Sequence, residues 1–196
     1  MRLWKPGPVW LAGAGIFLAL AAASAAAAPP FPVIGKPAPD FVLTSQSAAQ
    51  VRLSQFRGKL VLLNFIYTTC VDVCPLITAN LGRVQRDLMA RGWWGTDVVF
   101  VSVTTDPARD TPSALRTYAR RYQADLRAWY FLTGSPRTLD AVYKAYGIPV
   151  RPAPKGLQEH AAPTFVIDRR GVVLGAYGYD LKPADVLLDL AQLRGP

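Results

Sequence analysis

A near-continuous apolar run, residues 59–67 (KLVLLNFIY), ends directly at two cysteines and a proline (TTCVDVCP), and an amphipathic run follows. Its β-branched and aromatic content over so short a length predicts a strand buried on both faces. Ile77, Leu81, Val84 and Leu88 then recur at helical spacing until Gly92, predicting a helix over residues 75–91. Proline is tolerated only in a helix's first turn, so Pro75 marks the start. Cys70 is thereby placed in the loop and Cys74 at the helix edge. A thiol pair between a buried strand and a helix is a strong constraint, because few folds present it.

The rest of the chain fits an α/β sandwich around a mixed sheet, flanked by helices. Short strands are predicted at residues 40–44, 98–104 and 129–132, with a turn-rich approach over 51–58. Thr111-Pro112 caps a helix whose face carries Leu115, Tyr118, Ala119 and Tyr122. Leu139, Val142, Tyr143 and Tyr146 mark another helix, stopped by Gly147. Residues 164–177 form a hairpin around Asp168-Arg169-Arg170-Gly171, and residues 183–193 a closing helix with Val186, Leu190 and Leu193 inward. This order, with the thiols opening a helix, indicates a thioredoxin-like fold. One connection stands apart: residues 147–163 hold four prolines and no clear periodicity in 17 positions, and they carry the chain's single histidine, His160. A connection of that length is usually functional or mobile.

The first residues set the compartment. Arg2 and Lys5 flank an uncharged apolar stretch, and small residues up to Ala28 follow. We expect residues 1–28 to be a secretory signal peptide, or alternatively a retained membrane anchor; residues 29–37 a Pro-rich linker; and residues 38–196 one domain. Both alternatives put the domain outside the cytoplasm, in a bacterial periplasm or on the outer face of the inner membrane. The net charge of +9 is spread over scattered arginines without a dense basic run, so nucleic acid is not an expected partner.

Outside the cytoplasm two nearby thiols tend to oxidise. A purely structural bridge between Cys70 and Cys74 closes too short a loop to stabilise much. The pair is better suited to metal or to exchange, and helix N–H groups are expected to lower both thiol pKa values. His160 lies 90 positions after Cys70 and just before a strand. In a thioredoxin-like fold the loop before that strand faces the thiols. Two thiolates and an imidazole suit copper, the soft sulfurs favouring Cu(I) and the imidazole Cu(II). With two cysteines and one histidine in all, one ion per chain is expected. Metal binding, thiol–disulfide exchange through Cys70 and Cys74, or both remain open on these residues alone, and a thiol peroxidase is a third possibility that the fold permits.

TTCVDVCP, then VTTDPARDTP, then His160 ahead of FVIDRRG resembles the Sco/SenC family, copper-binding, thioredoxin-fold assembly factors of cytochrome c oxidase. The resemblance spans roughly Pro37 to the C-terminus. It implies Cys70, Cys74 and His160 as copper ligands and the copper-bearing oxidase subunit, with its CuA centre, as the acceptor. An upstream copper donor or a thioredoxin-like reductant is a further implied partner. It also implies that the loop holding His160 moves when metal binds. Two positions depart from the family's pattern: Ala161 follows the histidine where a hydroxyl residue is usual, and Pro163 resembles the proline that thioredoxins carry beside their thiols, often in cis. Asp106 is open to two roles, a turn-former or a group that tunes the site or meets a partner. Asp72, between the cysteines, reads as a helix-start charge.

Overall fold

A computed structural model describes residues 31–154 and 157–195. The expected signal or anchor over residues 1–28 lies outside the described residues. Seven strands form one mixed sheet: β1 (Val42–Ser45), β2 (Gln50–Arg52), β3 (Leu60–Ile66), β4 (Val98–Thr104), β5 (Trp129–Thr133), β8 (Thr164–Ile167) and β9 (Val173–Tyr177), in the order β2-β1-β5-β4-β3-β8-β9. β3, β4 and β5 run parallel, and the outer pairings are antiparallel. The two remaining strands, β6 (Val150–Pro152) and β7 (Gln158–His160), pair as a separate antiparallel ribbon.

Alternation along the central strands divides the core in two. Val61, Leu63 and Phe65 face one side with Val101, Val103 and Phe165, where α3 (Pro136–Tyr146) covers them through Leu139, Val142 and Tyr146. Leu60, Leu62 and Ile66 face the other with Phe100, Trp129 and Phe131. There they meet α1 (Val73–Ala90), α2 (Pro112–Arg121) and α4 (Pro183–Arg194). Helices on both faces explain why β3 and β4 are buried at every position. Helix ends follow the sequence closely: Thr111 accepts the Ala114 N–H, Ser135 accepts the Thr138 N–H, and Gly147 closes α3 with φ 70°.

Several expectations change in detail. Residues 31–37, expected to be part of a Pro-rich linker, make turns and dock on the sheet. Val33 is buried, Phe31 meets Phe165 edge to face at 5.1 Å, and the Gly35 N–H donates to the Val173 carbonyl at 2.7 Å. Leu193 points outward at 38% exposure, because Arg194 takes the contacts at that end, with its guanidinium 5.0 Å from the Trp93 ring and its Nε 3.3 Å from Asp97. Tyr122 is half-buried rather than part of the core proper. The bond before Pro163 is trans. No helix among the described residues is long and apolar enough to cross a membrane.

Candidate metal centre

The thiols sit where β3 hands over to α1. After Ile66 the chain turns, with the Cys70 N–H donating to the Tyr67 carbonyl at 3.2 Å. α1 opens at Val73, so Cys74 is in its first turn and Pro75 follows it. Asp72 occupies the N-cap position, yet its side chain caps nothing. The Cys70 sulfur does that work instead: it accepts from the Asp72 and Cys74 backbone N–H groups. A helix start leaves its first N–H groups without intrahelical partners, so an anion is favoured there.

Both cysteines are reduced and buried, Cys70 at 8% and Cys74 at 0% exposure. The expectation that both would become acidic holds for one only. The Cys74 thiol donates to the Cys70 sulfur, and this bond, with the two backbone N–H groups and the Tyr67 hydroxyl, brings Cys70 down to about 5 despite burial. Donation to Cys70 and burial push the Cys74 thiol up. The helix end is shared by two sulfurs with room for one charge, and the more buried one keeps its proton. Alkylation of the reduced chain is therefore expected to modify Cys70 with a half-maximal rate near pH 5, leaving Cys74 unmodified across the same range. An ordinary thiol profile for both, near pH 8.5, would remove the asymmetry.

The loop ahead of Cys70 is tied down by a carboxylate that sequence patterns did not single out. Asp110 is fully buried and accepts from the Thr68 N–H at 3.1 Å, from the Thr68 hydroxyl at 2.5 Å and from the Thr104 hydroxyl at 2.5 Å. Burial nonetheless holds its carboxyl above the usual range. Asp106 pairs with Arg109 in the same turn, and its N–H donates to Thr104 Oγ1 at 2.9 Å. Asp106 thus shapes the turn whose last residue braces the cysteine loop.

His160 does not lie in a structureless loop. Residues 147–163 contain the β6–β7 ribbon, and His160 pairs with Val150 at its end. The imidazole packs edge to face against Tyr67, ring centroids 5.8 Å apart. Its Nδ1 is 2.8 Å from the Ala161 carbonyl. A carbonyl can only accept, so Nδ1 carries the proton and Nε2 keeps a free lone pair. Burial lowers the His160 pKa, with the Cys70 charge opposing, so the ring is neutral at pH 7. Tyr67 joins the two halves: its hydroxyl bonds to Cys70 and accepts the Gln158 N–H at 3.3 Å.

Cys70 and Cys74 are therefore in direct contact and His160 adjoins them across Tyr67. Among the described residues, however, no three His, Cys, Asp or Glu side chains are arranged to hold a metal ion as they stand. The donor chemistry fits copper: one thiolate, one thiol that can lose its proton, and one neutral imidazole with an open nitrogen. Val71, at 79% exposure, and Leu76, at 47%, form an apolar rim beside the sulfurs.

A family model described as SCO1/SenC matches residues 35–194. The SCO1 protein homolog of Bacillus subtilis (strain 168) is 34% identical over 94 residues, 48% of this chain and 47% of that protein, so the chain spans about half that relative's length. A SCO1/SenC family lipoprotein from Bacillus anthracis str. Ames superposes with a TM-score of 0.75 at 25% identity, covering 85% of this chain and 98% of that one. ScoI of Bradyrhizobium japonicum, solved with copper bound, gives 0.70 at 26% identity over 82% of this chain and 99% of that one. BsSco, a member of the Sco family of cytochrome c oxidase assembly proteins in which a disulfide switch was identified, gives 0.69 at 26% identity over 81% and 93%. The fold is thioredoxin-like, a mixed sheet flanked by helices.

Proposed function

The chain belongs to the SCO1/SenC family, and from that premise we propose that it is a copper metallochaperone. It holds one copper ion on the Cys70 and Cys74 thiolates and the His160 imidazole, and delivers it to the CuA centre of cytochrome c oxidase during assembly. The observation that carries this function is the histidine: a neutral ring, its outer nitrogen open, adjoining a sulfur pair that is already half ionised. Thiol exchange alone has no use for such a ring. Binding proceeds with release of the Cys74 proton, because a metal takes the thiolate. Delivery is ligand exchange, the acceptor's thiolates replacing these one at a time. Copper-bound ScoI and the lipoprotein relative support both the cargo and a site of action outside the cytoplasm, in the periplasm or on the outer face of the inner membrane.

The acid–base asymmetry of the pair favours a second activity on the same residues. Cys70, ionised and the more accessible, can attack an acceptor disulfide; Cys74 then displaces the mixed disulfide and leaves a Cys70–Cys74 bridge. A thioredoxin-like reductant has to return that bridge to the dithiol. BsSco with its disulfide switch is a relative in keeping with this second activity.

Titrating the reduced chain with Cu(II) tests the primary function. Sulfur-to-copper charge-transfer absorption should rise linearly and stop at one equivalent per chain. Absence of that band, or a titration without an end point, would sink it.

A further inference from the structure

The β6–β7 ribbon is too small to hold its own shape. Three residues pair on each strand, and only the middle pair, Arg151 with Glu159, is placed to exchange ladder hydrogen bonds; at the two outer pairs the N–H groups face away from the partner strand, that of Gln158 to the Tyr67 hydroxyl. Isolated two-stranded ribbons are marginal even when longer. Something outside the ribbon must fix its register, and register decides everything for His160. Side chains alternate along a strand, so Gln158 and His160 project to one side of β7, and a slip of one residue turns both away.

Gln158 is held at both ends of its amide. Its Nε2 donates to the Thr105 carbonyl at 3.0 Å, and its Oε1 accepts from the Thr105 hydroxyl at 2.7 Å. The carbonyl can only accept, which settles the orientation of the amide. Thr105 is itself buried just past the end of β4, its N–H donating to the Ile66 carbonyl at 2.7 Å. The residue that precedes Thr105 donates its hydroxyl to Asp110, and Ile66 precedes Tyr67. The amide thus fastens the ribbon to the same rigid strand ends that carry the cysteine loop.

We propose that Gln158 is a positioning residue for the copper site: its paired bonds with Thr105 clamp β7 in the register that presents His160 to Cys70 and Cys74. The clamp deepens the copper function and rests on it for the role of His160 as ligand. Gln158 itself touches neither sulfur nor metal. It sits two residues from the ring, on the ribbon's fixed end, and acts as a pivot about which His160 swings onto the ion. Outer groups that orient metal ligands typically change affinity by about ten- to a hundredfold when removed.

The test uses the reduced full chain, four single variants and the Gln158→Ala/His160→Ala double: the single variants are Gln158→Ala, which loses both bonds; Thr105→Val, near-isosteric but without the hydroxyl; Thr105→Ser, which keeps it; and His160→Ala. In the metal-free protein, amide exchange at Arg151 and Glu159, the ladder pair, should accelerate about tenfold in Gln158→Ala, less in Thr105→Val, and stay at the parental rate in Thr105→Ser. With Cu(II), Gln158→Ala should lose about tenfold or more in affinity, and its charge-transfer band should move toward that of His160→Ala. Adding His160→Ala to Gln158→Ala should cost no more than His160→Ala alone, while the Cys70 alkylation profile stays unchanged in all four. Parental exchange and affinity in Gln158→Ala, alongside weakened binding in His160→Ala, would overturn the clamp and leave the ligand set standing. If His160→Ala binds copper like the parent, the ligand set fails, and amide exchange alone decides the clamp: acceleration supports it and its absence overturns it.

Discussion

Joining Cys70 and Cys74 as a disulfide is expected to take copper binding from one ion per chain to none. A disulfide sulfur has no thiolate lone pair to offer, so oxidation removes two of three ligands at once. The imidazole left behind is a single neutral donor, too little to retain an ion against solvent. The reduced chain already holds one of the two charges required, because Cys70 is ionised at neutral pH. The measurement is copper retained after desalting, for the reduced chain, the oxidised chain and the oxidised chain treated with a dithiol. We expect about one, zero and about one equivalent. Undiminished binding by oxidised protein would place the metal elsewhere.

Replacing His160 with Ala separates the two activities. Imidazole is the donor suited to Cu(II), so the variant should lose tight Cu(II) binding, by more than about a hundredfold, while two thiolates still hold some Cu(I). It should also fail to support oxidase assembly in cells. Reduction of a small disulfide substrate should proceed as in the parent, since attack and resolution reside in Cys70 and Cys74. No loss of acidity at the thiols is expected, because the Cys70 charge is sustained by Cys74, two backbone N–H groups and Tyr67. Full assembly activity in this variant would make exchange, not copper delivery, the function.

The parts legible in the sequence are those that local physics dictates. An apolar run buried on both faces, a cap followed by proline, and a glycine at a helix end each carry their own signal, and β3, β4, α2 and α3 lie where those signals put them. The β6–β7 ribbon was hidden because prolines and three-residue strands leave no periodicity to count. Tyr67, Thr105, Asp110 and Gln158 escaped for another reason: each matters through a partner 39 to 91 positions away, which no local pattern encodes. Thr105 and Asp110 left a trace as members of VTTDPARDTP, and Tyr67 as the last residue of the apolar run, but nothing in those patterns told what each would hold. The split between the two thiols was likewise invisible. Spacing placed both at one helix end, but which sulfur keeps the proton depends on burial and on the direction of a single hydrogen bond.

At the head of α1 a sulfur stands where a carboxylate would normally stand. The Asp72 and Cys74 amides lean on the lone pairs of Cys70. Copper would take one of those lone pairs and leave others to accept, whereas a Cys70–Cys74 bridge removes the charge and leaves a neutral sulfur, a weak acceptor. The redox state of the thiols is in this way written into the main chain. Val71 and Leu76, beside those amides, are exposed. A protein docking on them would meet a firmer edge on the reduced chain than on the bridged one.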